Sequence, residues 1–131
     1  MENSYPIKIK NQLIFGRDKI WLISMHQNNN KLTLTVEIDL EEKSMLLNIV
    51  FEGIVFYSST ELDTYEKSKW SSSWLNSQSN FEVVQGSDLM KERVEIRSDY
   101  NRQDFTHYRI STCDYIIDVI TKNYQLEEVD K

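Results

Sequence analysis

The clearest pattern in the chain is the alternation across residues 31–40, KLTLTVEIDL. Leu32, Leu34, Val36, Ile38 and Leu40 fall on one side of an extended backbone, and Thr33, Thr35, Glu37 and Asp39 on the other. This is the period-two signature of a strand with one buried face. Upstream, Trp21, Ile23 and Met25 alternate with Leu22, Ser24 and His26, and Asn28, Asn29 and Asn30 supply residues that tolerate a left-handed turn. A two-residue turn predicts Met25 opposite Leu32, Ile23 opposite Leu34 and Trp21 opposite Val36, with one apolar face and one wet face. After a turn over 41–44, MLLNIVF predicts a more fully buried strand, and IVFYS resumes the pattern after Glu52–Gly53. That dipeptide reads as a tight turn or a bulge, since glycine relieves the strain of either, and the turn is preferred.

The second strong signal is Phe105 to Thr121, FTHYRISTCDYIIDVIT. Cys113 and Asp114 interrupt two strand-favouring runs, so Thr112 is expected to pair with Tyr115. Ile110 then lies opposite Ile117 and Tyr108 opposite Val119 on one face. The other face sets Arg109 opposite Asp118 and His107 opposite Ile120. Loops of two or four residues keep these pairs, whereas three would mix the faces.

Elsewhere the pattern is weaker. Residues 5–15 begin with alternation at Ile7 and Ile9 and predict a strand, or a strand with a bend, before a turn at Gly16. The polar stretch 59–80 predicts a short helix and a long loop, with Trp70 and Trp74 as its main apolar groups. Phe81 to Gln85 reads as a brief strand, and Ser87–Asp88 as the cap of a helix reaching about Arg93. Residues 95–104 form a charged loop, and the acidic tail QLEEVDK is expected to fray at its end.

Composition supports the β reading. The 131 residues contain no Ala, three Gly and one Pro, against many Ile, Val, Thr, Tyr and Phe. Length and a 40% hydrophobic content predict one domain, 1–131, able to bury a core. The expected fold is a β-rich α+β domain: antiparallel sheet forming a sandwich or partly open barrel, with one or two short helices. Net charge is −6 and uneven, with six Lys/Arg against seven Asp/Glu in residues 1–60 and nine against fourteen in 61–131. Such a balance argues against nucleic acid, which needs clustered cations, and fits a basic protein partner. MENSYPIKIK has no apolar signal core, and Met45 to Tyr57 is too short to span a bilayer. With a single cysteine, these features predict a cytoplasmic protein without membrane association.

Few residues suggest chemistry. His26 and His107 are far apart and Cys113 stands alone, so neither metal nor cofactor is expected. Asp114 beside Cys113 disfavours a thiolate. No nucleophile elbow or phosphate-binding glycine loop occurs, and the chain leans away from an enzyme. Asp118 draws attention because Ile116 and Ile120 flank it on its own strand face. Facing Arg109, it is either half of a sheet ion pair or, with His107, part of the floor of a binding cleft.

FEVVQGSDLMKERV followed by HYRISTCDYIIDVI, within residues 81–121, resembles a layout in small bacterial proteins that include immunity proteins of toxin systems. Here Gly86 replaces the Asn of that layout. The resemblance implies binding and neutralising a toxin. The leading expectation is therefore a non-enzymatic binding protein with an acidic surface of Asp114, Asp118, Glu127, Glu128 and Asp130, anchored by Trp70 or Trp74. The competing expectation is a small-ligand-binding barrel, or an enzyme, with a cleft around His107, Arg109 and Asp118.

Overall fold

The computed structural model describes residues 3–16, 18–40, 43–62, 79–97 and 99–129. Its strands are β1 (Asn3–Pro6), β2 (Ile20–Asn28), β3 (Lys31–Asp39), β4 (Ser44–Glu52), β5 (Phe56–Glu61), β6 (Phe81–Gln85), β7 (Thr106–Ser111), β8 (Tyr115–Thr121) and β9 (Asn123–Val129). They form two antiparallel sheets, ordered β1-β6-β7-β8-β5 and β2-β3-β4-β9. A short helix, α1 (Asp88–Met90), widens into a π-helical turn over Lys91–Glu95. The architecture is thus the β-rich α+β fold that alternation and composition predict.

The alternation of β3 decides the core. Leu32, Leu34, Val36 and Ile38 are fully buried, facing Ile110, Ile117 and Val119 of the other sheet in one apolar cluster. Four aromatic rings meet there in tilted and edge-to-face contacts: buried Phe51, Phe81 and Tyr108 and half-buried Tyr124, with centroids 5.0–6.1 Å apart. Each such buried side chain contributes about 1.5–3 kcal/mol over its exposed state.

The first hairpin departs from the expected register. Asn29 takes φ 58°, so Asn29 and Asn30 form the turn and Asn28 pairs with Lys31. Met25 consequently lies opposite Leu34, not Leu32. A register shift between Leu22 and Ser24 then puts Leu22 opposite Val36 and leaves Ile23 exposed. Alternation cannot reveal this bulge, because Ile23 and Leu22 are equally apolar.

β4–β5 and β8–β9 run side by side as one ribbon that leaves the first sheet and enters the second. Phe51 pairs with Tyr124 and Phe56 with Ile120, so four intervening residues on one strand face three on the other. The extra residue is a bulge, with Gly53 at φ 71°. A hairpin turn is excluded, since β4 and β5 belong to different sheets. Lys122 donates its N–H toward the carbonyls of Glu52 and Gly53, and Thr121 Oγ1 to Glu52 O at 2.6 Å, closing the corner. Bends and bulges are how strands change sheets in such packings.

The C-terminal segment adds a strand that the hydrophobic pattern did not predict, while the end expected to fray, Asp130 and Lys131, lies outside the described residues. Residues 123–129 pair with β4 along their whole length, with Tyr124 and Leu126 packed against the core. Gln125 and Glu127 face outward, and this short alternation is the signal that the acidic composition masks. At the other terminus, Lys10 and Asn11 both take positive φ and turn the chain between Ile9 and Gln12, supplying the expected bend.

Candidate functional site

The predicted closing hairpin is present with its predicted register: His107 opposite Ile120, Tyr108 opposite Val119, Arg109 opposite Asp118 and Ile110 opposite Ile117. Thr112 N–H donates to Tyr115 O at 2.8 Å, leaving Cys113 and Asp114 as the loop. Tyr108 and Ile110 therefore enter the main core, and His107 and Arg109 point to the opposite face of the five-stranded sheet.

That opposite face carries a row of charge. Glu82 of β6 is the register partner of Arg109, Arg109 of Asp118, and Asp118 of Ser58. Arg109, Glu82 and Asp118 are each 0% exposed, and His107 is 2%. Arg109 Nε donates to Asp118 Oδ1 at 3.1 Å, and His107 Nε2 lies 2.6 Å from the same oxygen. Arg109 Nη1 stands 3.7 Å from Glu82 Oε1, an ion pair rather than a hydrogen bond. Burial on its own would raise the Asp118 carboxyl. The hydrogen bond and charge of His107, together with Arg109, outweigh it and hold the group below the ordinary carboxylate value. The carboxylate is the charge to which both basic side chains are tied.

An apolar cap covers part of this face beside His107. Helix α1 starts at Ser87, whose Oγ accepts from Met90 N–H at 2.9 Å, as its sequence predicts. The helix lays Leu89, Met90 and Val94 with Ile120 in a second apolar cluster, supported by Phe56 and Phe105. Arg93 covers the Phe56 ring at 4.4 Å.

The expected site residues thus divide. His107, Arg109 and Asp118 do come together, but as a buried network and not on an open sheet face. Asp118 is excluded from the acidic surface by its complete burial. Asp114 is exposed in the hairpin loop, and Glu127 and Glu128 are exposed on β9. Glu128 is partly neutralised by Lys10 Nζ at 3.1 Å. Trp70, Trp74 and Asp130 lie outside the described residues. Glu82 is the member that sequence reasoning missed. Its signal was a charge at the second position of an otherwise largely apolar five-residue strand, FEVVQ.

A groove of about 770 Å³ adjoins the network, bordered by Val84, Gly86, Met90, Arg102, Phe105 and His107. Of the three residues expected in a cleft, only His107 is among the described residues lining it. Among the described residues, no group of three or more His, Cys, Asp or Glu is placed to hold a metal. No helix of the described residues is long and apolar enough to cross a membrane. Comparisons with protein-family models, with curated proteins and with solved structures return no match.

Proposed function

We propose that this chain is a non-enzymatic binding protein that neutralises a basic protein partner through its acidic surface, in the manner of a toxin-immunity protein. The division of its acids carries the reading. Glu82 and Asp118 are sunk against Arg109 and His107, while Asp114, Glu127 and Glu128 remain at the surface. The buried charges specify the packing of the sheet; the exposed ones are available to steer a cationic protein.

Affinity capture from the protein's own cells at low and moderate salt tests this reading, with bound proteins identified by mass spectrometry. A stoichiometric basic partner whose retention falls with salt supports it. Absence of such a partner at both salt concentrations overturns it.

A second reading, a ligand site or an enzyme around His107, Arg109 and Asp118, draws on one observation. His107 lines the groove beside α1, and its Nδ1 has no hydrogen-bond partner among the described residues. Arg109 and Asp118 are not among the described residues bordering that space, so a ligand there would meet His107 alone of the three. A thermal-shift screen of small polar ligands separates this reading from the first.

A further inference from the structure

The groove of about 770 Å³ beside α1 differs in character from the rest of this acidic molecule. Val84 and His107 are register partners on β6 and β7, and Phe105 stands two positions before His107. By strand alternation all three lie on the face that carries Arg109. Met90 of α1 adds a further apolar wall, and Val84, Met90 and His107 are all buried. Small-molecule sites enclose roughly 300–1,000 Å³, so the groove is of the right size for one.

Its polar groups are donors. Asp118, held as a carboxylate, accepts and does not donate, so the His107 Nε2 beside it carries a hydrogen. His107 Nδ1 is buried and has no hydrogen-bond partner among the described residues. Leaving such an atom unmet costs about 1–3 kcal/mol. In the cationic ring whose charge helps hold the Asp118 carboxyl down, Nδ1 also carries hydrogen and is a donor. Arg102, on the short turn Arg102–Asp104, brings a guanidinium to the same groove. Glu95 meets it at Nε, 3.3 Å away, and among the described residues that is its one ion pair. Both Nη groups therefore remain to serve a ligand. No Asp or Glu is among the described residues bordering the groove. Asp104 borders a separate recess, where Lys122 also lies.

We propose that this groove binds a small organic carboxylate, its head held by Arg102 and His107 Nδ1 and its apolar remainder laid against Val84, Met90 and Phe105. The proposal rests on the ligand-site reading given second above and narrows its ligand to one chemical class. It is independent of the protein partner. A planar guanidinium and an imidazolium donate to carboxylate oxygens with charge-assisted hydrogen bonds. Inorganic phosphate would use the same donors but leave the apolar wall wet. An amine would find no carboxylate on the lining to pair with.

The chain has only two histidines, so NMR of the ring nitrogens follows His107 with His26, exposed on β2, as internal reference. The probes are acetate, succinate and benzoate, each compared with its neutral amide, added to the full chain at constant pH and ionic strength. The expected result is a saturable shift of His107 Nδ1 by at least one carboxylate, with His26 unmoved. Its amide should bind more weakly by roughly tenfold or more. Arg102→Gln should weaken the carboxylate by a similar factor. It should leave the unfolding midpoint in place, because the solvent-exposed pair with Glu95 contributes little. If an amide shifts His107 as strongly as its acid, or Arg102→Gln changes nothing, the carboxylate assignment fails and the ligand-site reading stands. If none of the probes moves His107, or His26 moves equally, both fail.

Discussion

His107 Nε2 lies 2.6 Å from Asp118 Oδ1, in a site where both side chains are at most 2% exposed. The contact joins neighbouring strands diagonally, since Asp118 faces Arg109 in register and His107 faces Ile120. One carboxylate oxygen therefore serves an arginine directly opposite and a histidine two positions along β7. Removing it strips both basic groups of that carboxylate, while Arg109 keeps its 3.7 Å ion pair with Glu82.

Asp118→Asn is expected to destabilise the protein by about 3–5 kcal/mol, the cost of breaking a buried pair by removing one partner. Urea unfolding at neutral pH measures it. The pH dependence has a definite sign. The folded carboxyl titrates below its ordinary value of 3.8, so its contribution is present in full above that value. It is lost as pH falls from there through the lower folded value. The gap between wild type and Asp118→Asn should therefore narrow in acid, and a gap that widens below pH 3.8 contradicts the assignment.

Arg109→Met should be as damaging, about 3–5 kcal/mol, because it strands Glu82 and Asp118 as like charges in a dry layer. Combining it with Glu82→Leu and Asp118→Leu should recover at least half of that loss, since all three charges leave together. A triple variant less stable than Arg109→Met would mean that the row contributes more than its own neutralisation.

Much of this was legible in the chain. The alternation of 105–121 located Arg109 and Asp118 as neighbours, because an even loop is the only one that keeps both faces consistent. Burial was not legible. From sequence, an Arg–Asp pair on a strand face reads the same whether water or protein lies above it, and Leu89, Met90 and Val94 meet this face, at Ile120, only in three dimensions. The tail was missed for a different reason. Glu127 and Glu128 advertise solvent, yet Tyr124 and Leu126 need only two inward positions to add a strand to β4. In β2 the expected register was wrong, because three consecutive asparagines do not say which two make the turn and the bulge at Ile23 has apolar residues on both sides.

Gly53→Ala tests the corner. At φ 71° a side chain is strained, and an added Cβ would meet Lys122 Cγ and Cδ at 2.9 Å. The lysine stem can yield, so backbone strain dominates and the loss should be about 1–2 kcal/mol. Gly53→Asn should lose less, because asparagine tolerates the left-handed region better. Thermal unfolding of the two variants compares them directly.

Asn80→Ala removes three side-chain hydrogen bonds that tie Gly16 to Ser111. At about 0.5–1.5 kcal/mol each, the expected loss is roughly 2–4 kcal/mol. The Gly16 amide should exchange with solvent far faster than in wild type, while amides of β3 keep their relative protection. Unchanged Gly16 exchange would show that the loop is held by something other than this clamp.

Steering of a basic partner by exposed carboxylates underlies the proposed function. Its most direct measurement is the association rate of the captured partner with wild type and with Asp114→Asn/Glu127→Gln/Glu128→Gln, followed from low to moderate salt. Neutralisation should slow association by roughly tenfold at low salt, and the two proteins should converge as salt rises. Equal rates for both proteins at every salt concentration would contradict it.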